Sequence, residues 1–77
     1  MRKVVVYHAP GCHLCRRALE VVESVSREIP FELELVDISG DPELEARYRE
    51  LLPVVEIDGE RAFTYHVTRD ALCARVA

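Results

Sequence analysis

Seventy-seven residues, 49% hydrophobic and 31% charged, suffice for one small domain near the lower size at which a single core is enough. A net charge of −4 gives no support for nucleic-acid partners or attachment to an anionic membrane, and the apolar run Val4-Val5-Val6-Tyr7 falls far short of a membrane span or signal-peptide core. Three cysteines cannot pair fully within one chain, which argues against a disulfide-stapled secreted scaffold and for a cytoplasmic protein with reduced thiols.

Lys3 to Tyr7 is a short β-branched run ended by His8-Ala9-Pro10-Gly11, the pattern of a buried strand running into a turn. Beyond it Leu14, Ala18, Val21, Val22, Val25 and Ile29 recur at helical spacing, with charged residues between them. They predict an amphipathic helix from about Cys12 to Glu28, closed by Pro30. Phe31 to Asp37 then alternates with period two, a second strand with one wetter face. Asp41-Pro42 supplies an N-cap followed by a proline at the first helical position. Leu44, Tyr48 and Leu51 form the inner stripe of that second helix. Pro53 to Ile57 reads as a third strand, and Asp58-Gly59 as a two-residue hairpin turn into a fourth, Arg61 to His66. Thr68 can cap a last helix, with Val67 and Leu72 at the staple positions on either side of it.

The resulting order is βαβαββα. Two strands joined across a helix should run parallel with a right-handed crossover, and the last two should form an antiparallel hairpin. A four-stranded mixed sheet flanked by helices is the simplest packing. No linker, repeat or composition shift suggests a second domain within residues 1–77.

Cys12 and Cys15 fall at the start of the first helix, just past a strand. Unpaired backbone N–H groups and the positive end of the helix dipole favour a thiolate at Cys12. The cysteines also lie in the basic part of the chain: residues 1–17 carry Arg2, Lys3, Arg16 and Arg17 and no acid, and all 14 acids come later. Arg16, Arg17 and His13 can add to the anion's stabilisation. Cys15, one turn further in, can reach Cys12 yet should be more shielded, which is the arrangement that dithiol exchange needs. Lowering a thiol from about 8.5 to about 6.5 raises its thiolate fraction at neutral pH roughly 25-fold but costs about 6- to 10-fold in nucleophilicity, so such tuning governs redox poise more than speed.

The pair has other readings. A structural zinc site usually takes four ligands from two separated pairs, and here only His8, His13 and the distant Cys73 accompany one C-x-x-C. A copper-chaperone domain carries its C-x-x-C after a first strand too, but Pro10 stands where its methionine would be and its element order is βαββαβ. The cysteines could also serve packing alone, in a domain that binds partners without turnover.

The segment Tyr7-His8-Ala9-Pro10-Gly11-Cys12-His13-Leu14-Cys15 resembles the Y-x-x-P-x-C-x-x-C stretch of glutaredoxins and their relatives in the thioredoxin superfamily. Leu52-Pro53-Val54-Val55-Glu56-Ile57-Asp58-Gly59 is similar to their V-P-x-x-x-I-x-G segment, at the right separation and in the corresponding strand. The resemblance implies one glutaredoxin-like domain over residues 1–77 with a thioredoxin-like fold and a redox-active dithiol that reduces protein or small-molecule mixed disulfides. Cys12 would be the nucleophile and Cys15 the resolving thiol. In that family the proline is cis and the backbone before it pairs with the bound peptide or glutathione, which implies a docking edge at Leu52 and Pro53. The resemblance further implies a cytoplasmic monomer in electron transport, with no bound cofactor, a reductase system as partner, and glutathione as a candidate donor. It also has departures: Ala9 replaces a lysine frequent in glutathione-binding members, Leu51-Leu52-Pro53 replaces T-V-P, and Phe63-Thr64 replaces a Gly-Gly turn. The alternatives are a soft-metal or iron–sulfur handling module using the same two thiolates, and a non-catalytic thioredoxin-fold binding domain.

Three residues near the pair have two roles open to them. Tyr7 could pack its ring over the cysteine loop or extend its hydroxyl to the exchange site, and His13 and Arg16 could contact substrate or stand in solvent. Cys73, between Leu72 and Ala74, reads as a small filler on the last helix.

Overall fold

The sheet grows outward from β1 (Lys3–His8), its most β-branched segment, in a computed structural model that describes every residue from Met1 to Ala77. β2 (Glu32–Asp37) lies parallel on one side, with Lys3 opposite Glu32 and His8 opposite Asp37. β3 (Val54–Ile57) lies antiparallel on the other, with Tyr7 opposite Val54 and Val4 opposite Ile57. β4 (Glu60–Thr64) closes the order β2-β1-β3-β4. The hairpin turns at Asp58 and Gly59, whose φ values of 54° and 85° are the pair of left-handed conformations a type I′ turn requires. The Asp58 carboxylate then accepts the Lys3 N–H at 3.0 Å and an Arg2 guanidinium N–H at 2.8 Å, which holds its pKa below the usual carboxylate range.

Three helices cover the sheet: α1 (His13–Ser26), α2 (Pro42–Tyr48), which runs on into a 3-10 turn at Arg49–Leu51, and α3 (Arg69–Val76). Each begins where a side chain satisfies an orphan helix N–H. Cys12 caps α1, Asp41 caps α2 with bonds from the Glu43 and Leu44 N–H groups, and Thr68 caps α3 with a bond from Ala71. Arg69 bonds Ser24 and Glu28 and so ties the start of α3 to α1.

Alternation along the strands sorts the core into two clusters. Val4, Val6, Val55 and Ile57 face one way and meet Val22 and Val25 of α1 and Leu72 and Val76 of α3. Val54 faces the other way and meets Ile38, Tyr48, Leu52, Ala9 and Cys15. The helix α1 therefore contributes its C-terminal half to the larger cluster and its first turn to the smaller one. No helix is long and apolar enough to cross a membrane.

The structure differs from expectation at one boundary and in the burial of one strand. β4 starts at Glu60 and stops at Thr64, because Tyr65 adopts φ 66° and turns the chain out of the sheet, its N–H bonding the Pro53 carbonyl at 3.0 Å. β2 alternates as predicted, but it is an edge strand, and Leu35 on the α1-side face stays 46% exposed.

Candidate active site

The turn before α1 sets the geometry of the pair. Pro10 and Gly11 reverse the chain, with Gly11 at φ 78°, a conformation glycine adopts without steric cost. Cys12 follows in extended conformation (φ −95°, ψ 108°) as the N-cap, so its side chain lies over the open end of the helix. Its Sγ accepts the Cys15 backbone N–H at 3.2 Å, and its carbonyl accepts the Arg16 N–H at 3.1 Å. A sulfur in the place usually held by a serine or aspartate oxygen receives a helix N–H and the positive end of the dipole together.

Cys15 sits three residues on, 2% exposed, while Cys12 is half-buried. Burial first, and then the hydrogen bond of Cys12, push the Cys15 thiol up to about 11 from an ordinary 9.0; the Ala9 backbone opposes them, with lesser effects from the charges of Cys12 and Arg49. One sulfur is thus at the surface under helix N–H groups, and the other is held protonated beneath it. All three cysteines are free thiols; Cys73, half-buried, packs against the larger cluster away from this pair.

The other predicted residues fall into two groups. Leu52 is buried in the cluster that contains Cys15, and Pro53, also buried, follows it through a cis peptide bond. Arg16 is exposed and lines, with Pro10, Gly11, Cys12, Cys15 and Leu19, a cavity of about 210 Å³ beside the sulfurs. His13 is the exposed first residue of α1. Tyr7 packs against the cysteine cluster, but its ring stacks on Tyr48 with centroids 4.1 Å apart, and its hydroxyl turns to Glu56.

That tyrosine pair was legible only in part. Glu56, half-buried on the α2 side of β3, accepts the Tyr48 hydroxyl at 3.1 Å and the Tyr7 hydroxyl at 3.4 Å. Burial, then the hydrogen bond with Tyr48, raise the Tyr7 phenol above its ordinary value, so it stays a neutral donor to the carboxylate. Sequence reasoning missed Arg49 altogether. Its charge lowers the proton affinity of Cys15 slightly, the least of the causes acting on that thiol and far outweighed by burial. The available signal was the Glu45-x-x-x-Arg49 spacing one turn before Leu-Leu-Pro. No group of three or more His, Cys, Asp or Glu side chains is arranged to hold a metal ion.

Comparison with known proteins gives a consistent picture. Residues 3–77 match the family model described as a glutaredoxin-like domain (DUF836). The uncharacterized protein Rv0508 of Mycobacterium tuberculosis is 32% identical over 72 residues, covering 87% of this chain and 74% of that protein. Among solved structures, protein Ne2328 of Nitrosomonas europaea superposes with a TM-score of 0.80 at 29% identity, covering 99% of this chain and 92% of that one. Protein XcR50 of X. campestris gives 0.78 at 26%, covering 94% and 92%. A thioredoxin of Fasciola hepatica gives 0.66 at 27% identity, covering 97% and 77%. The four-stranded mixed sheet with three helices is thioredoxin-like.

Proposed function

The chain belongs to the glutaredoxin-like domain family, and from that membership and the geometry of its cysteines we propose that it is a thiol–disulfide oxidoreductase acting through a Cys-His-Leu-Cys dithiol. The observation that carries the reading is the hydrogen bond from the Cys15 N–H to Cys12 Sγ at the open end of α1, above a buried second thiol. A helix N–H that donates to the capping sulfur favours the anion, and the anion is the form that attacks a disulfide.

The reaction runs in two displacements. The Cys12 thiolate attacks one sulfur of a substrate disulfide; the substrate S–S bond breaks, the departing thiolate takes a proton from solvent, and Cys12 is left in a mixed disulfide. Cys15 then loses its proton and attacks Cys12 Sγ, which releases the second substrate thiolate and forms the Cys12–Cys15 disulfide. The substrate gains two electrons and the protein loses two, so a reductant must return the dithiol. The high proton affinity of Cys15 keeps it from competing as first nucleophile at neutral pH and makes its deprotonation part of the second step.

Substrate docks along Leu52 and Pro53, with Arg16 lining the cavity beside the sulfurs and His13 exposed at the start of α1. The substrates are proteins or small molecules carrying mixed disulfides, in a reducing compartment such as the cytoplasm, and the domain acts as a monomer with no resident cofactor. The donor is glutathione or a thioredoxin-reductase-type system. The test is reduction of a glutathione mixed disulfide with glutathione and its reductase, run beside thioredoxin reductase. Turnover that disappears in Cys12→Ser, and a trapped mixed disulfide on Cys12 in Cys15→Ser, support exchange. No turnover with either system and no trapped adduct would reject it.

A further inference from the structure

The cavity beside the sulfurs has a counterpart across α1. At about 100° per residue, Cys12, Arg16 and Leu19 come out on one side of the helix and Leu14, Arg17 and Val21 on the other. This second group lines, with Tyr65, His66 and Val67 of the β4–α3 connection, another cavity of about 210 Å³. It adjoins the dithiol at two points. Leu14 stands between the two cysteines, and the Tyr65 N–H donates to the carbonyl of Pro53 on the docking edge.

Two features here go unused by the packing. The first is Tyr65. The His66 N–H donates to the Thr64 carbonyl at 2.7 Å across it, and with φ 66° this is the γ-turn of the strained hand. A bulky residue there costs energy that glycine would avoid, and the turn leaves the tyrosine 44% exposed instead of in the core. The second is charge. Arg17 is exposed and belongs to none of the ion pairs, which use Arg2, Lys3, Arg49 and Arg69, and no residue lining the cavity is acidic. The walls are therefore mostly apolar and the only charge is positive. The volume falls below the roughly 300–1,000 Å³ of small-molecule sites, which leaves room for one side chain and not for a cofactor.

We propose that this cavity is a specificity pocket for protein substrates: it takes one bulky apolar side chain of an extended peptide segment, with an adjacent Asp or Glu of that segment against Arg17. Tyr65 is held in its strained turn to wall the pocket, and its bond to Pro53 ties that wall to the docking edge. This deepens the exchange reading by naming the substrate class, proteins that present an apolar–acidic pair near the reacting cysteine, and rests on that reading for what docking serves. The binding itself involves no sulfur.

The test therefore reads binding without thiol chemistry. Isotope-labelled reduced protein is titrated with the end-blocked, cysteine-free peptide Gly-Ser-Leu-Asp-Ser-Gly while backbone amide NMR shifts are followed. The expected result is saturable shifts at Leu14, Arg17, Val21 and Tyr65 to Val67, lost when the peptide's leucine becomes alanine. Changing its aspartate to asparagine should weaken binding about twofold to threefold, the scale of one solvated ion pair. Tyr65→Ala should weaken it about threefold to tenfold, the scale of partial burial against one aromatic ring. Tyr65→Gly, which relieves the turn, should weaken it equally, because the loss belongs to the ring and not to the backbone. Shifts that stay absent at millimolar peptide or fall elsewhere overturn the proposal, as does binding indifferent to either peptide change or to loss of the Tyr65 ring. So do shifts at the same residues on dilution of the free protein, which would assign the cavity to a second copy. Equal or tighter binding of S-methylglutathione there would assign it to a small thiol carrier and overturn it too. Failure here leaves the exchange assay standing, and a protein that turns over nothing can still bind the peptide.

Discussion

The proton on Cys15 links the site to stability in a way that can be measured. Its thiol is raised from an ordinary 9.0 to about 11, with burial the leading cause. Below pH 9 the folded and unfolded chains both hold that proton, and its contribution to stability is fully present. Between pH 9 and 11 the unfolded chain releases it while the folded chain keeps it, so stability falls as pH rises, and the contribution is gone above the folded value. At about 1.36 kcal/mol per unit the loss amounts to about 2–3 kcal/mol. The assay is urea unfolding of the reduced protein from about pH 8 to the highest pH at which it stays folded, in parallel with Cys15→Ala. The difference in stability between the two should shrink steadily above pH 9, with tyrosine and lysine titrations cancelling in the comparison. Cys12→Ser should retain most of the slope, because the hydrogen bond and charge of Cys12 rank below burial as causes. A flat difference across that range, or a slope that vanishes in Cys12→Ser, would refute the reasoning.

Val22→Ala, at a position with no exposure between α1 and the sheet, should cost about 2–3 kcal/mol in the same unfolding assay, from lost burial and an unfilled cavity. A cost under about 1 kcal/mol would mean that the larger cluster repacks around the gap. Tyr48→Phe should destabilise by about 1–2 kcal/mol by removing a hydroxyl bonded to the Glu56 carboxylate at 3.1 Å. Tyr7→Phe, whose bond to the same carboxylate spans 3.4 Å, should cost measurably less, and the reverse ranking would contradict this geometry. Asp41→Ala should cost about 1 kcal/mol, because it strips the acceptor from two N–H groups at the start of α2; no change in the unfolding midpoint would show that water replaces the cap without loss.

Local signals in the chain decided most of the architecture. β-branched runs, caps at Asp41 and Thr68, and the Asp58-Gly59 turn each act within a few residues, and each element formed where its own chemistry placed it. What the sequence did not disclose was long-range. Arg49 stands exposed, as its place in the sequence suggests, but its neighbour Tyr48 turns out to pack in the cluster that holds Cys15. Tyr7 looked free to aim its hydroxyl at the sulfurs, and the β1–β3 register instead sets Glu56 on its own side of the sheet, within reach of both phenols. The early end of β4 is of the same kind, since nothing local in Thr64-Tyr65-His66 announces a tyrosine at φ 66°.

The spacing of the two cysteines prepares their unequal surroundings. At about 100° per residue, positions three apart return to nearly the same face of a helix, one turn deeper. When the first of them is the N-cap, its side chain hangs over the helix end and stays reachable, while the second lies within the first turn and faces the sheet. Here that second position opens onto the smaller cluster of Ile38, Tyr48, Leu52 and Val54, so burial and a raised proton affinity follow for Cys15 alone. A gap of two or of five would rotate the second sulfur off this face, towards solvent or α1's outer side, and would forfeit either contact with the first or shelter. The larger cluster, between α1, α3 and the opposite face of the sheet, holds the helix against the strands independently of the thiols. Chemistry at Cys12 can therefore change the charge and bonding of the smaller cluster while the larger one keeps the scaffold in place.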